Sequence, residues 1–286
     1  LPNAFYVKAS LSREVVQRGL LYLQQAAYDY RWSLTPLLLV ALLVPATWRR
    51  DGALLWLLVA AHLAYASTIG GDWMAAYRFL VPVMPLVALQ IGRAVHGLVP
   101  VARYPQRHVL LSAAVLALAL VNALLFRGRL AQDPFFTQPW VAHGTEMAQI
   151  IQAHCEPGTS LAVFAAGALP YYLLPTPYPI VDMFGLTTAE IAHAEDAYLG
   201  AVMPGHGRFS AATTRELRPD VYLFHAEFDG APITDEQGWR EGGLAHLIRQ
   251  FTDDPSFWAE HGTRSIEVAP DRYFNLVQRH EARCSW

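Results

Sequence analysis

The sequence predicts an α-helical membrane domain of about four transmembrane helices, followed by an extracytoplasmic α/β domain. Three observations predict it. Of 286 residues, 53% are hydrophobic and only 16% are charged, where a soluble domain typically carries about 25% charged residues. Four apolar runs fill the first half of the chain. After Asp133 those runs stop, and short apolar strands alternate with helical patterns, which is the order of an α/β domain. The expected boundaries are 1–33 for an outer-face segment with an amphipathic helix, 34–130 for the membrane helices and 131–286 for the α/β domain.

Within the first segment, Val15, Val16, Leu20, Leu23, Ala26 and Ala27 recur at helical spacing, and Ser12 stands where an N-cap belongs. This reads as an amphipathic helix lying at the membrane surface or packed on a bundle. The apolar runs follow at Leu34–Trp48, Ala53–Ile69, Phe79–Leu98 and His108–Phe126. A span needs about 20 apolar residues, or about 17 at the short end. The last three meet that length; the first meets it only if tilted or extended into Trp32. Arg49 and Arg50 follow the first run, and Arg93, Arg103 and Arg107 flank the third connection. By the positive-inside rule both loops are cytoplasmic. The loop at Gly70-Gly71-Asp72, the first thirty residues and everything after Phe126 then face outward.

In the second half, Trp140 to His154 and Leu244 to Phe251 carry helical patterns. Ser160–Ala165, Ile180–Asp182 and Asp220–His225 read as buried strands, and Arg264–Val268 with Tyr273–Gln278 as a terminal hairpin. About 150 residues is enough for a core of its own.

Composition excludes some functions. Net charge is −3 and the isoelectric point is near 6.4, which argues against a general nucleic-acid-binding surface. Two cysteines, Cys155 and Cys284, fit no zinc spacing. In an oxidising compartment they are a candidate disulfide. No Walker loop, His-x-x-x-His pair or Gly-x-Ser-x-Gly elbow occurs, so no metal site and no cofactor is assigned.

The candidate site residues are charges that stand beside apolar runs or at strand ends. Asp72 and Arg78 lie in Gly70-Gly71-Asp72-Trp73-Met74-Ala75-Ala76-Tyr77-Arg78-Phe79. Charges beside a bilayer are costly unless paired, hydrated or used. An Arg fork suits a phosphate, and an Asp can orient a sugar hydroxyl; the same two residues could equally pair with each other. Lys8, the only lysine, sits beside Phe5 and Tyr6 and suits an anionic headgroup. Asp182 follows a strand, where ligands gather in open α/β sheets, though a strand-end Asp also caps the next turn. His206 lies between Gly205 and Gly207 and could move protons near neutral pH. His154, His193, His225 and His246 are scattered and carry no reading.

Ordered motifs then point to a family. Leu1-Pro2-Asn3-Ala4-Phe5-Tyr6-Val7-Lys8 resembles the LPNTFYAK segment of bacterial GT-C membrane glycosyltransferases, with Ala4 in place of the usual Thr. Gly70-Gly71-Asp72-Trp73-Met74 and Arg78-Phe79-Leu80-Val81-Pro82 resemble their GGDxM…RFLxP loop and helix. In the second half, Ala166 to Tyr172, Val181 to Thr187, Gly205-His206 and Arg218-Pro219-Asp220 are similar in order to the branch that includes terminal arabinofuranosyltransferases of mycobacterial cell walls. The resemblance implies a multi-pass protein of the bacterial plasma membrane. It would move a sugar from a polyprenyl-phosphate donor, by inverting displacement, to an envelope glycan or protein acceptor on the outer face. Arg78 and Lys8 would meet the carrier phosphate, Asp72 the sugar or acceptor, and Asp182 and His206 the acceptor side. The catalytic carboxylate of such enzymes lies in an early outer loop that would precede Leu1, so the resemblance implies that this is a C-terminal portion without the base. The rival reading is a non-enzymatic, membrane-anchored protein that binds a glycan or a partner. A transporter is disfavoured, because the runs hold few polar residues beyond His62, Gln90 and Asn122.

Overall fold

A computed structural model describes residues 12–31, 34–72, 75–98, 105–130, 139–164, 166–174, 176–195, 208–225, 228–241 and 244–286. Two compact units divide at about residue 138, a helical one before it and an α/β one after. Lys8 and His206 lie outside the described residues.

The helical unit opens with α1 (Arg13–Asp29), whose first turn is capped by the Ser12 side chain accepting from the Val15 amide. Its buried residues Val15, Gly19, Tyr22 and Ala26 line one helical face. Next come α2 (Leu34–Leu43), a 3₁₀ turn (Pro45–Trp48), α3 (Arg50–Thr68), a 3₁₀ segment (Ala75–Val83), α4 (Met84–Leu98) and α5 (Pro105–Leu130). At Gly19, α1 crosses α3 so closely that a Cβ would stand 2.3 Å from the Ser67 carbonyl oxygen. The core gathers Tyr22, Ala41, Trp56, Val59, Leu80, Val87 and Ile91. Gln90 is buried among them and its Nε2 donates to the Gly52 carbonyl at 2.7 Å, while its Oε1 is buried without a partner among the described residues.

The structure corrects the expected four-helix membrane domain. Among the described residues, one helix, Tyr77–Leu98, is long and apolar enough to cross a membrane, and by itself that is weak evidence for a span. The physical reasons differ by run. Leu34–Trp48 breaks before Pro45, leaving a ten-residue helix, because proline lacks the N–H that would continue the ladder. Helix α3 begins on Arg50 and Asp51 and ends on Ser67 and Thr68, and it carries His62, which dilutes its hydropathy. Within α5, the apolar stretch whose side chains are described is Pro105–Val121, which is shorter than a span.

The α/β unit opens with α6 (Trp140–His154) and builds one five-stranded sheet. Its strands are β1 (Leu161–Val163), β2 (Ile180–Asp182), β3 (Val221–Leu223), β4 (His261–Ala269) and β5 (Arg272–Arg279), in the order β2-β1-β3-β5-β4. Strand β1 pairs in parallel with β2 and β3, while β5 runs antiparallel to β3 and β4. The hairpin turns at Pro270-Asp271, with Asp271 at φ 56°. The helices α7 (Ala168–Leu173), α8 (Ala189–Ala192), α9 (Ala211–Glu216), α10 (Ala245–Thr252) and α11 (Pro255–Glu260) fill the connections.

Both sheet faces are covered. Leu161, Val163, Val221, Leu223 and Leu276 pack toward Met147 and Ile151 of α6. Ala162, Tyr222 and Val277 point the other way, into an aromatic core of Phe164, Phe209, Phe224, Trp239, Phe251 and Phe257. This explains why β1 and β3 are apolar at every position instead of alternating. A disulfide joins Cys155 to Cys284, where the chain end already pairs with the end of α6 through Glu156 N–H to Arg283 C=O at 2.9 Å and Ser285 N–H to His154 C=O at 2.8 Å.

Candidate functional site

The helical unit positions Asp72 and Arg78 through the end of α3. Gly70 and Gly71 both sit at φ 76°, a conformation glycine adopts without steric cost. The Gly71 amide donates to the Ala66 carbonyl and the Gly70 amide to the Ser67 carbonyl, which is a Schellman ending. A Cβ at Gly71 would stand 2.6 Å from the Tyr22 side chain. The glycine pair therefore stops the helix and lets the chain turn tightly across α1, which delivers Asp72 into a buried position.

There Asp72 and Arg78 form a two-point ion pair. The Arg78 Nε donates to one carboxylate oxygen and Nη2 to the other, the latter at 3.2 Å. The Asp72 side chain is 1% exposed and that of Arg78 is 47% exposed. Asp72 is thus the buried holder, and Arg78 is a cation presented to its surroundings with Nη1 not used by the carboxylate. Three tyrosines back the pair. Tyr77 packs on Tyr22 and Tyr30 at centroid distances of 5.3 and 5.9 Å, and its hydroxyl donates to Asp29. Tyr77 itself adopts φ 50°, an outlier for a bulky side chain that surrounding structure must enforce. Burial first, and then the Asp72 charge, push the Tyr22 phenol above its ordinary pKa, so it stays protonated. The His62 Nε2 sits 2.5 Å from the Phe79 carbonyl, tying the 3₁₀ segment to α3.

Asp182 occupies the end of β2 as expected, but its carboxylate is turned inward. One oxygen accepts from the Phe184 amide at 3.0 Å and the other from the Thr187 amide at 2.9 Å. The Thr188 hydroxyl in turn accepts from the Asp182 amide at 2.8 Å. The residue is fully buried. Burial pushes its pKa up, and the amide bonds from Thr187, Phe184 and Leu186 pull it back. This geometry serves the 183–188 turn, where Gly185 takes φ 71°.

Sequence spacing missed a second arrangement at the end of β3, which lies on the other side of β1 from β2. His225, just beyond β3, has its Nδ1 2.9 Å from both oxygens of Asp229. Asp229 also accepts from Asn275 Nδ2 at 2.8 Å. Asn275 is buried on β5 and is itself locked by the Ala231 carbonyl and the Ile233 amide, both at 3.0 Å. Nδ1 faces a carboxylate, which places a ring proton on that nitrogen and fixes the ring's orientation. The i, i+4 spacing of His225 and Asp229 was visible in the sequence. The Asn275 anchor was not, because it arrives through strand pairing. Among the described residues no group of three or more His, Cys, Asp or Glu side chains could hold a metal ion.

Residues 136–273 match the model of a family described as a domain of unknown function, DUF8728. The match covers most of the α/β unit and just under half of the chain. No curated protein and no solved structure matches the chain. The similarity therefore brings no chemistry of its own.

Proposed function

We propose that this chain is part of a membrane glycosyltransferase that takes a sugar from a polyprenyl-phosphate donor and gives it to a cell-envelope acceptor. The observation that carries this reading is the Arg78 clasp. A buried carboxylate fixes the plane of a half-exposed guanidinium, and a pre-oriented guanidinium is well suited to receive a phosphate. The surroundings fit a lipid-linked donor. Leu39, Leu43, Leu57, Leu89, Leu110, Leu116 and Leu120 of the helical unit are exposed, and apolar surface on that scale calls for lipid or a partner. The Cys155–Cys284 disulfide supports an oxidising, extracytoplasmic setting for the α/β unit.

In this reading Arg78 holds the carrier phosphate, and Asp72 aims Arg78 instead of touching the sugar. The acceptor oxygen bonds to the anomeric carbon as the bond from that carbon to the phosphate oxygen breaks. The hydroxyl proton passes to a base that this chain does not identify, and polyprenyl phosphate leaves with the bonding electrons. The test is sugar transfer from labelled polyprenyl-phosphate donors by membranes containing the protein. Hydrogen bonds to charged groups are worth about 1.5–3 kcal/mol, so Arg78→Ala should lower transfer about 10- to 150-fold with protein level unchanged. Equal turnover by wild type and Arg78→Ala would refute the assignment.

One observation favours a glycan-binding role without transfer. Tyr171 and Tyr172 on α7 are exposed side by side, with ring centroids 5.3 Å apart, and such amphipathic rings suit sugar faces. That role predicts glycan retention that depends on Tyr171 and is indifferent to Arg78.

A further inference from the structure

We infer that the helical unit carries a second anion site, a cleft that takes the phosphate head and apolar tail of an anionic amphiphile. The inference stands independently of the transferase reading. The cleft encloses about 870 Å³ between the 45–49 turn and one face of α4, a size within the usual range for small-molecule sites. Pro85, Leu89 and Gly92 form its apolar wall, and Arg49 and Arg93 supply its cationic end, with His96 also lining it.

Three further observations point to a ligand. The Arg93 Nε is buried without a hydrogen-bond partner, a costly state for a charged group. No described carboxylate lies within ion-pair distance of Arg49 or Arg93, so among the described residues two positive charges meet at the cleft without a counter-ion. Gly92 sits inside α4, and a Cβ there would meet nothing within 4 Å. Glycine in a helix interior costs stability relative to alanine, and here neither packing nor a positive φ requires it. What it does is keep the wall open.

The shape of the binding surface selects the ligand class. The positive end alone would suit free phosphate. The wall beyond it is apolar and continues onto exposed Leu89, which only a ligand with a hydrocarbon part would use. Arg93 also lies about 25 Å along the Tyr77–Leu98 helix from Arg78, from the rise of the two helix types. The two cationic sites therefore belong to opposite ends of the one described helix long enough to cross a membrane.

The experiment uses the full chain in dodecyl maltoside, with phosphatidylglycerol, phosphatidylcholine and inorganic phosphate as separate probes in native mass spectrometry. Wild type should retain phosphatidylglycerol over phosphatidylcholine, and millimolar phosphate should not displace it. An arginine near an anionic lipid surface is worth about a fivefold change in affinity, so Arg49→Gln with Arg93→Gln should weaken phosphatidylglycerol about 30-fold. Gly92→Leu keeps both charges, fills the wall and should weaken it comparably while helicity by circular dichroism is unchanged. Arg78→Gln should leave it unchanged. Equal retention of the two lipids, wild-type binding by both cleft variants, or loss of binding in Arg78→Gln alone would overturn the site. Displacement by millimolar phosphate would overturn the amphiphile as its ligand.

Discussion

The disulfide gives the sharpest stability prediction. Cys155 and Cys284 are 129 residues apart, so reduction opens a loop that contains the whole sheet. In the chain-entropy treatment a loop of that length is worth about 5 kcal/mol, and measured losses on removing native disulfides run at about 2–5 kcal/mol. The lower part of that range is expected here, because the non-covalent pairing at the chain end survives reduction. Glu156 and Ser285 keep their backbone bonds, and the His154 ring keeps its stack on Trp286 at 5.2 Å. For a unit of roughly 150 residues, 2–5 kcal/mol corresponds to a fall in Tm of about 6–16 °C. The assay is near-ultraviolet circular dichroism of the full chain, melted with and without a phosphine reductant, beside the Cys155→Ala, Cys284→Ala double variant. The near-ultraviolet signal includes the aromatic core around Phe224 and Trp239 of the α/β unit together with Tyr22 and Trp56 of the helical unit, so the component that moves with reductant is the one that reports the disulfide-closed unit. The oxidised wild type should melt highest, and the reduced wild type should match the double variant. A wild type that carries two free thiols after non-reducing purification, or melts alike in both conditions, would refute the reasoning.

Three more outcomes test individual groups. Asp72→Asn removes the charge that holds Arg78 and should lower stability by about 1–3 kcal/mol, with the smaller figure favoured because Arg78 is half exposed; thermal melting in detergent measures it. Asn275→Ala takes three hydrogen bonds from the 229–233 segment. It should cost about 2–4 kcal/mol and strongly raise hydrogen exchange at the Ile233 amide, whereas unchanged exchange there would show that the anchor is idle. His261 is stacked on Phe257 at 4.3 Å, and burial holds its pKa below the ordinary histidine value. The folded state thus binds fewer protons than the unfolded one. The contribution of His261 to stability is present above about pH 6.5 and falls away as pH drops through the folded-state pKa. The stability difference between wild type and His261→Phe should be flat above that point and shrink or change sign below it.

Much of the α/β unit was legible because its signals are local. Three short apolar runs, each bounded by turn residues, became β1, β2 and β3, and the last two runs became the hairpin. The helical half was less legible, since a hydropathy reading weighs composition and a span also needs unbroken helix. Val44 at ψ 117° interrupts the first run before Pro45, and the length lost there cannot be recovered by tilting. Arg50 and Asp51 take the first two of the 19 positions of α3 and Ser67 and Thr68 the last two, so its helical length exceeds its apolar length. The run from Phe79 held its length despite Pro82, because the 3₁₀ geometry of residues 75–83 carries the proline into α4 without a break.

The site residues divide by where their partners come from. Asp72 and Arg78 lie six residues apart, and pairing was one of the two outcomes their spacing allowed. The pairing does not remove the functional reading, because it is lopsided: a buried acid holding an exposed base orients the base for a third group. Asp182 shows the opposite balance. Its position after a strand invites a ligand, yet the turn that follows supplies two amide donors at 2.9–3.0 Å and leaves the carboxylate no open face. His225 looked like one scattered histidine among several. What distinguishes it is Asn275, brought beside Asp229 by strand β5 from 46 residues away. Pairing through a sheet leaves no periodic trace in the chain. A histidine with an acid four residues on, just past a buried strand, is therefore a better sequence signal than a strand-end aspartate followed by turn donors.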